Sequence, residues 1–234
     1  MMKKSVSRTL TAVAKSGYKE VEFAGYFNKP VAEVKKMLDD NGLVSPSANV
    51  AMSDLGPMWE AFLEDANTLG QQYLTVTWID APERTLDGYK RVAARFNAAG
   101  ARARREGVQL AYHNSSYEWM PASGRIPYQI LLDECDPQNL AMEADIYWMR
   151  QAKQDPLIWF AKYPGRFHML HAKDIGPPPG SAMLDVGKGT LDWRSLLSQG
   201  TRAGVKHVFV ENEKARDPIA SIRSSYRYLR GLRY

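Results

Sequence analysis

Two hydrophobic periods take turns along the chain. One repeats every three to four residues, as at Val31, Val34, Met37 and Leu38, and predicts an amphipathic helix over residues 31–41. The other is a short apolar run, as in Tyr73-Leu74-Thr75-Val76-Thr77-Trp78, and predicts a buried strand. Gly17, Gly42, Gly70, Gly107 and Gly204 stand where helical stretches stop, which suits a residue free to take a left-handed conformation. Helices are predicted over 5–16, 31–41, 58–69, 86–106, 128–134, 155–162, 193–202 and 219–229. Strands are predicted around Val21 and over 46–50, 73–78, 109–114, 140–145, 167–174 and 207–211. This alternation predicts repeated βα units on a parallel sheet, in one domain over residues 1–234.

A closed barrel of this class needs eight strands, and the pattern supplies seven. The helix over 5–16 has no strand before it. The expectation is an α/β fold, a (β/α)8 barrel lacking its first strand, either because the start lies downstream of the full protein's or because the barrel has a gap. An open doubly wound sheet is the structural alternative, weakened by the lack of a Gly-rich phosphate loop after any early strand.

Composition narrows the class. Of 234 residues, 44% are hydrophobic and 24% charged, as in an ordinary globular domain with a sizeable core. A net charge of +5 raises the question of nucleic acid. The cations are dispersed, however, and the densest run, Arg102-Ala103-Arg104-Arg105, reads as a solvated helix end. No nucleic-acid partner is expected. The single cysteine, Cys135, excludes an intrachain disulfide, and its neighbours Asp133, Glu134 and Asp136 disfavour a thiolate. No apolar run is long enough for a membrane helix. Lys3-Lys4 is followed by Ser5-Val6-Ser7-Arg8, which is no secretory core. The sequence as given is therefore expected in the cytoplasm, with a signal upstream of Met1 left open.

Candidate chemistry sits at strand ends. Asp145 closes the 140–145 strand, His171 and Asp174 the 167–174 strand, and Glu211 the 207–211 strand; Glu118 follows the 109–114 strand. In a parallel barrel these ends open onto one face, where active sites lie. Three oxygen ligands and one imidazole suit one divalent metal, Mn, Co, Mg or Zn, with positions open for substrate. Each residue also has a plainer reading: Asp145 as a cap, His171 as a core histidine, Glu211 as a loop acid beside Glu213, Lys173 as a partner of Asp174. Their shared face favours the site. His168 differs from His171 by an odd number of positions and is expected to face the helices. Trp78, Trp119, Tyr147 and Trp148 either stack on a sugar ring or fill the barrel mouth. Val186-Gly187-Lys188-Gly189 reads as a turn, since one G-x-G is a weak phosphate signal.

Several segments carry a family likeness: residues 17–23, Ala111-Tyr112-His113-Asn114 with Tyr117-Glu118-Trp119, Asp145-Ile146-Tyr147-Trp148, Gly165-Arg166 with His171-Ala172-Lys173-Asp174, residues 186–193, and residues 210–213. In these the chain resembles the sugar phosphate isomerase/epimerase group of the xylose-isomerase-like TIM barrel superfamily. The resemblance implies a divalent metal on Glu118, Asp145, His171 and Glu211, with His113 as the alternative first ligand. It implies proton transfer by Glu118 and Glu211, with Lys173 and His113 holding hydroxyls or an enediolate. Glu22, Asn49, Trp78, Tyr147, Trp148 and Arg166 would contact a small-molecule carbohydrate. Asn49 and Ser115 depart from the pattern, where relatives often carry His. A dehydratase or lyase on a keto-sugar or inosose, or a catalytically impaired barrel subunit, is the alternative. A metallophosphoesterase or endonuclease would need more than the four His present. A homo-oligomer is left open.

Overall fold

The computed structural model of the protein describes residues 5–233; the leader reading at Lys3-Lys4 lies outside them. Eighteen helices and strands follow one another as α1 (Val6–Ser16), β1 (Glu20–Phe23), α2 (Val31–Asn41), β2 (Val44–Val50), α3 (Trp59–Leu69), β3 (Tyr73–Val76), α4 (Leu86–Arg105), β4 (Gln109–His113), α5 (Pro127–Glu134), β5 (Leu140–Asp145), α6 (Ile146–Gln151), α7 (Pro156–Lys162), β6 (Phe167–Ala172), β7 (Asp174–Ile175), β8 (Met183–Leu184), α8 (Trp193–Arg202), β9 (His207–Val210) and α9 (Pro218–Gly231). The helices start where polar side chains can cap them: Ser5, Thr85, Asp155, Asp192 and Asp217 each accept from N–H groups of the first turn.

Seven strands pair in parallel in the order β1-β2-β3-β4-β5-β6-β9. Helices cover the outside, and Val34, Leu38, Leu63, Val92, Phe96 and Leu196 belong to the core between sheet and helices. Inside the barrel, Tyr73, Ala111, Ala141, Met169 and Phe209 form a small apolar layer. Polar residues of the same strand faces lie above it, at the strands' C-terminal ends.

Two irregularities shape that interior. Between β1 and β2 the register slips from Glu20↔Val44 to Glu22↔Ser47, so β2 carries an extra residue around Pro46, a place where a missing N–H is tolerated. Between β5 and β6 it passes from Met142↔Phe167 to Glu143↔Met169, which makes His168 a bulge residue. The bulge defeats the parity expectation for His168. Instead of simply facing the helices, its Nδ1 lies 3.2 Å from the hydroxyl of Tyr73, a member of the inner layer.

The seven-stranded wall is nearly closed. Between β1 and β9, side chains stand in for strand pairing: His207 Nδ1 meets Glu20 Oε2 at 2.8 Å. Outside that seam α1 packs on α9, where the Tyr18 hydroxyl donates to Ile222 O at 2.9 Å and the Tyr18 and Tyr226 rings lie 5.1 Å apart. A cleft of about 250 Å³ follows the seam, apolar along Leu10, Val13, Val21 and Val208 and ending at Glu22 and His171.

The pattern missed the short elements. The β7–β8 hairpin is two residues per strand, and Asp174 opens it rather than closing β6. Asp174 accepts from the N–H groups of Ile175, Gly187 and Leu191 and from the Trp193 indole, so it ties down the 176–192 loop. A side chain at Gly189 would meet Asp174 Oδ1 at 2.2 Å, which explains the glycine in the turn. Arg102 pairs with Glu60 and Glu106 on the surface. Burial pushes the Cys135 thiol up to about 12, far from a nucleophile. No helix among the described residues is long and apolar enough to cross a membrane.

Candidate active site and metal centre

The C-terminal ends of β1, β4, β5, β6 and β9 deliver a compact set of charged side chains. His171, at the end of β6, is its centre. Its Nε2 lies 2.8 Å from Glu22 Oε2 and 3.4 Å from Glu143 Oε2, and its Nδ1 lies 2.9 Å from Glu211 Oε2. His113, at the end of β4, packs edge-on against His171 with ring centroids 4.5 Å apart. Its Nδ1 meets Glu143 Oε2 at 3.0 Å and its Nε2 meets Asp145 Oδ2 at 3.4 Å. Lys173, just past β6 and 1% exposed, places its ammonium 2.8 Å from Asp145 Oδ2, 2.5 Å from Glu211 Oε2 and 2.7 Å from Glu213 Oε1.

Five acids therefore face one lysine and two imidazoles, mostly out of water. Burial penalises every charge here, and only mutual pairing offsets that cost. Burial and the His171 charge push His113 down, but the neighbouring Asp145 and Glu143 carboxylates prevail and raise it to about 9. Burial lowers His171 as well, and Glu143, Glu211 and Glu22 raise it well above the ordinary imidazole range. Burial lifts Asp145, yet His113 and Lys173 hold it below the usual carboxylate range. Glu143 is held high instead, by burial and then by the Glu22 charge.

The groups needed for a metal are present. Ligand atoms of Asp145, His171 and Glu211 lie within 4.8 Å of one another, and so do those of His113, Glu143 and His171. Asp145 divides its work: Oδ1 accepts from Trp148 N at 3.0 Å and caps α6, while Oδ2 is buried and accepts no hydrogen bond among the described residues. The Lys173 contact to that oxygen is an ion pair without hydrogen-bond geometry. Glu143 Oε1 is a second buried acceptor without a donor. Hard oxygens left unsatisfied beside an imidazole fit a divalent cation.

Other expected residues fall in different places. Glu118 does not join either cluster. Tyr112 alternates with His113 on β4 and packs on Phe96 of α4, and its hydroxyl donates to Glu118. Ser115 N donates to both Glu118 oxygens, at 3.1 and 3.0 Å. Glu118 thus organises the loop behind β4, and His113, the alternative first ligand, takes the interior place. Arg166 also lies apart from the clusters. It precedes β6 at the opposite end of the barrel, and its guanidinium donates to Leu132 O and Leu140 O. Tyr147 is buried under the loop, donating to Ser181 O at 2.8 Å, with Trp148 against its ring. Trp119 packs against Tyr128 in the core, with ring centroids 4.1 Å apart.

Two residues remain at the mouth. Trp78 is 52% exposed, and Asn49 has a buried Oδ1 without a donor among the described residues. Both line a second cleft of about 440 Å³ with Gly25, Ser53 and Asp80. The Arg84 guanidinium lies 4.2 Å from the Trp78 ring centre and 3.6 Å from that of Tyr117, fixing the indole from behind. Glu143 and Glu213 were missed in the sequence. Glu143 shares strand parity with Asp145, a signal the sequence carries; Glu213 lies past the end of β9, where strand parity no longer applies.

Comparison with known proteins agrees with the barrel fold. A family model described as xylose isomerase-like TIM barrel matches residues 10–232. An inosose dehydratase of Lacticaseibacillus casei is 29% identical over 96 residues, 41% of this chain; the match spans about a third (32%) of that relative's length. The crystal structure of a sugar phosphate isomerase/epimerase from Parabacteroides distasonis ATCC 8503 superposes with a TM-score of 0.83 at 25% identity, covering 97% of this chain and 92% of that one. A probable 3-DHS dehydratase from Bacillus anthracis has the same fold, with a TM-score of 0.78 at 12% identity over 98% of this chain and 94% of that one.

Proposed function

The chain belongs to the xylose isomerase-like TIM barrel family, and on that premise we propose that it is a divalent-metal-dependent isomerase or epimerase acting on a sugar, sugar phosphate or keto-sugar. The observation that carries this reading is the convergence of Asp145, His171 and Glu211 beside the unsatisfied Asp145 Oδ2 at the C-terminal face of the barrel. These three residues would hold the metal. A divalent cation bound there supplies Lewis-acid polarisation of neighbouring substrate oxygens and so acidifies the carbon beside the carbonyl.

The chain's own groups do the rest. Glu22 on β1 and Glu211 beyond β9 come from the two strands that border the seam, and both line the cleft beside His171. One carboxylate removes the proton from the carbon beside the carbonyl, and the other returns a proton to the enediolate. Lys173 donates to the oxygen on which negative charge develops, and His113 holds a hydroxyl. Trp78 offers an exposed apolar face to the sugar ring, and Asn49 the free acceptor beside it.

A second reading has its own support in the inosose dehydratase relative. The same proton removal followed by loss of a β-hydroxyl gives a dehydratase. Incubation in D2O with Mn2+ and a panel of ketohexoses, ketohexose phosphates and an inosose separates the readings by NMR. Isomerase or epimerase action puts deuterium at the carbon beside the carbonyl, and dehydration gives an enone absorbing in the ultraviolet. Glu211→Gln is expected to abolish either product, and Lys173→Met to slow it on the order of 100-fold. Wild-type protein that holds no metal and exchanges no proton across the panel would sink the proposal.

A further inference from the structure

Lys173 poses a problem for any metal at this site. Its ammonium already occupies the corner between Asp145 and Glu211. Glu211 Oε2 is shared, 2.5 Å from Lys173 Nζ and 2.9 Å from His171 Nδ1. Asp145 Oδ2, the buried acceptor without a hydrogen bond, is 2.8 Å from the same ammonium. A divalent ion bound to Asp145, His171 and Glu211 would take these two oxygens and stand next to a fixed positive charge. The two cations cannot both hold the corner.

The third contact offers a way out. Among the three carboxylates around Lys173, only Glu213 makes a bond of hydrogen-bond geometry, at 2.7 Å. Glu213 belongs to neither cluster of converging ligand atoms and is 42% exposed. It lies two residues past Glu211, in the turn that follows β9.

We propose that Lys173 is a built-in occupant of the metal corner and that Glu213 is the carboxylate onto which its ammonium withdraws when a divalent cation enters. This rests on the metal reading given above. The exchange keeps the corner neutralised in either state: the lysine covers Asp145 and Glu211 without metal, and Glu213 keeps the lysine paired with metal present. It also lowers the net affinity, because the ion must displace an ammonium before it coordinates. Withdrawn to Glu213, the ammonium remains beside the corner, where it can donate to a substrate oxygen.

A double-mutant cycle on Mn2+ affinity tests this, with free Mn2+ followed by electron paramagnetic resonance during titration of metal-stripped protein. Thermal unfolding of each variant checks its folding. Lys173→Met should bind Mn2+ about tenfold more tightly than wild type. Glu213→Gln should bind about tenfold more weakly, since the ammonium loses its second partner. In the Lys173→Met background, Glu213→Gln should change the affinity less than about twofold. Simple loss of a nearby negative charge predicts the same weakening in both backgrounds, and that result overturns the proposal. So does a Lys173→Met affinity equal to or weaker than wild type. Glu213→Gln alone carries the test if Lys173→Met does not fold: an unchanged affinity refutes the withdrawal. If no variant binds Mn2+, the metal reading itself fails and takes this inference with it. If all bind but the cycle shows no coupling, only the inference fails.

Discussion

His168 and His171 stand three residues apart on β6, and the protein does opposite things to them. His171 sits among Glu22, Glu143 and Glu211 and is held in its charged form. His168 sits at the other end of the strand, bonded through Nδ1 to Tyr73, and no carboxylate pairs with it among the described residues. Burial, with the Lys206 charge, pushes it down to about 4. Burial alone lowers both imidazoles. The difference lies in what surrounds each ring: Tyr73 and the Lys206 charge around His168, acids around His171. Position along a barrel strand, more than residue type, decides whether a histidine here is packing or chemistry.

Removing each ring is the sharpest way to break this contrast. In His171→Ala, the carboxylates of Glu22, Glu143 and Glu211 lose the cation between them. Stoichiometric metal should be lost, and the metal-free protein should be destabilised by about 3–5 kcal/mol. His168→Ala should keep its metal and cost about 1–2 kcal/mol, mostly lost packing and the Tyr73 bond. Metal analysis and urea unfolding measure both. Equal metal content in the two variants would erase the distinction.

Smaller effects appear in the pH dependence of stability of the metal-free protein. His113 is raised from 6.5 to about 9, so the folded state binds its proton more tightly than the unfolded state. Its contribution is fully present below pH 6.5 and is lost as pH rises through 9. His168 is lowered from 6.5 to about 4, so between those values the unfolded state binds more protons and stability rises with pH. Its contribution is present above pH 6.5 and is lost as pH falls toward 4. That contribution is roughly 1–2 kcal/mol once its partial exposure is allowed for. Unfolding across pH should show His113→Gln flattening the alkaline limb and His168→Gln the acid limb. A variant that flattens the opposite limb, or neither, contradicts the assigned environments.

Much of this was legible in the sequence because it follows from period and position. Helical and strand periods located all seven barrel strands, and strand ends singled out Asp145, His171 and Glu211. Glu143 escapes a reading of strand ends because it stands two positions before the last residue of β5, although it faces the same interior as Asp145. Arg166 was misplaced for the converse reason: it precedes its strand and so belongs to the far end. The orientation of His168 could not be read, since it depends on a bulge that pairing with β5 creates. Nor could the fate of Glu118, which hinges on Tyr112 reaching it from the helix side of β4. The burial of Tyr147 depends on a loop anchored by Asp174, a contact between segments that local pattern does not encode.

The most direct test is anomalous diffraction from crystals soaked in MnCl2, with data collected at the manganese absorption edge. The account predicts one strong peak within coordinating distance of Asp145 Oδ2, His171 Nδ1 and Glu211 Oε2, with the Lys173 ammonium drawn toward Glu213. A map without a peak in that corner, or with its only peak away from these three residues, would contradict it.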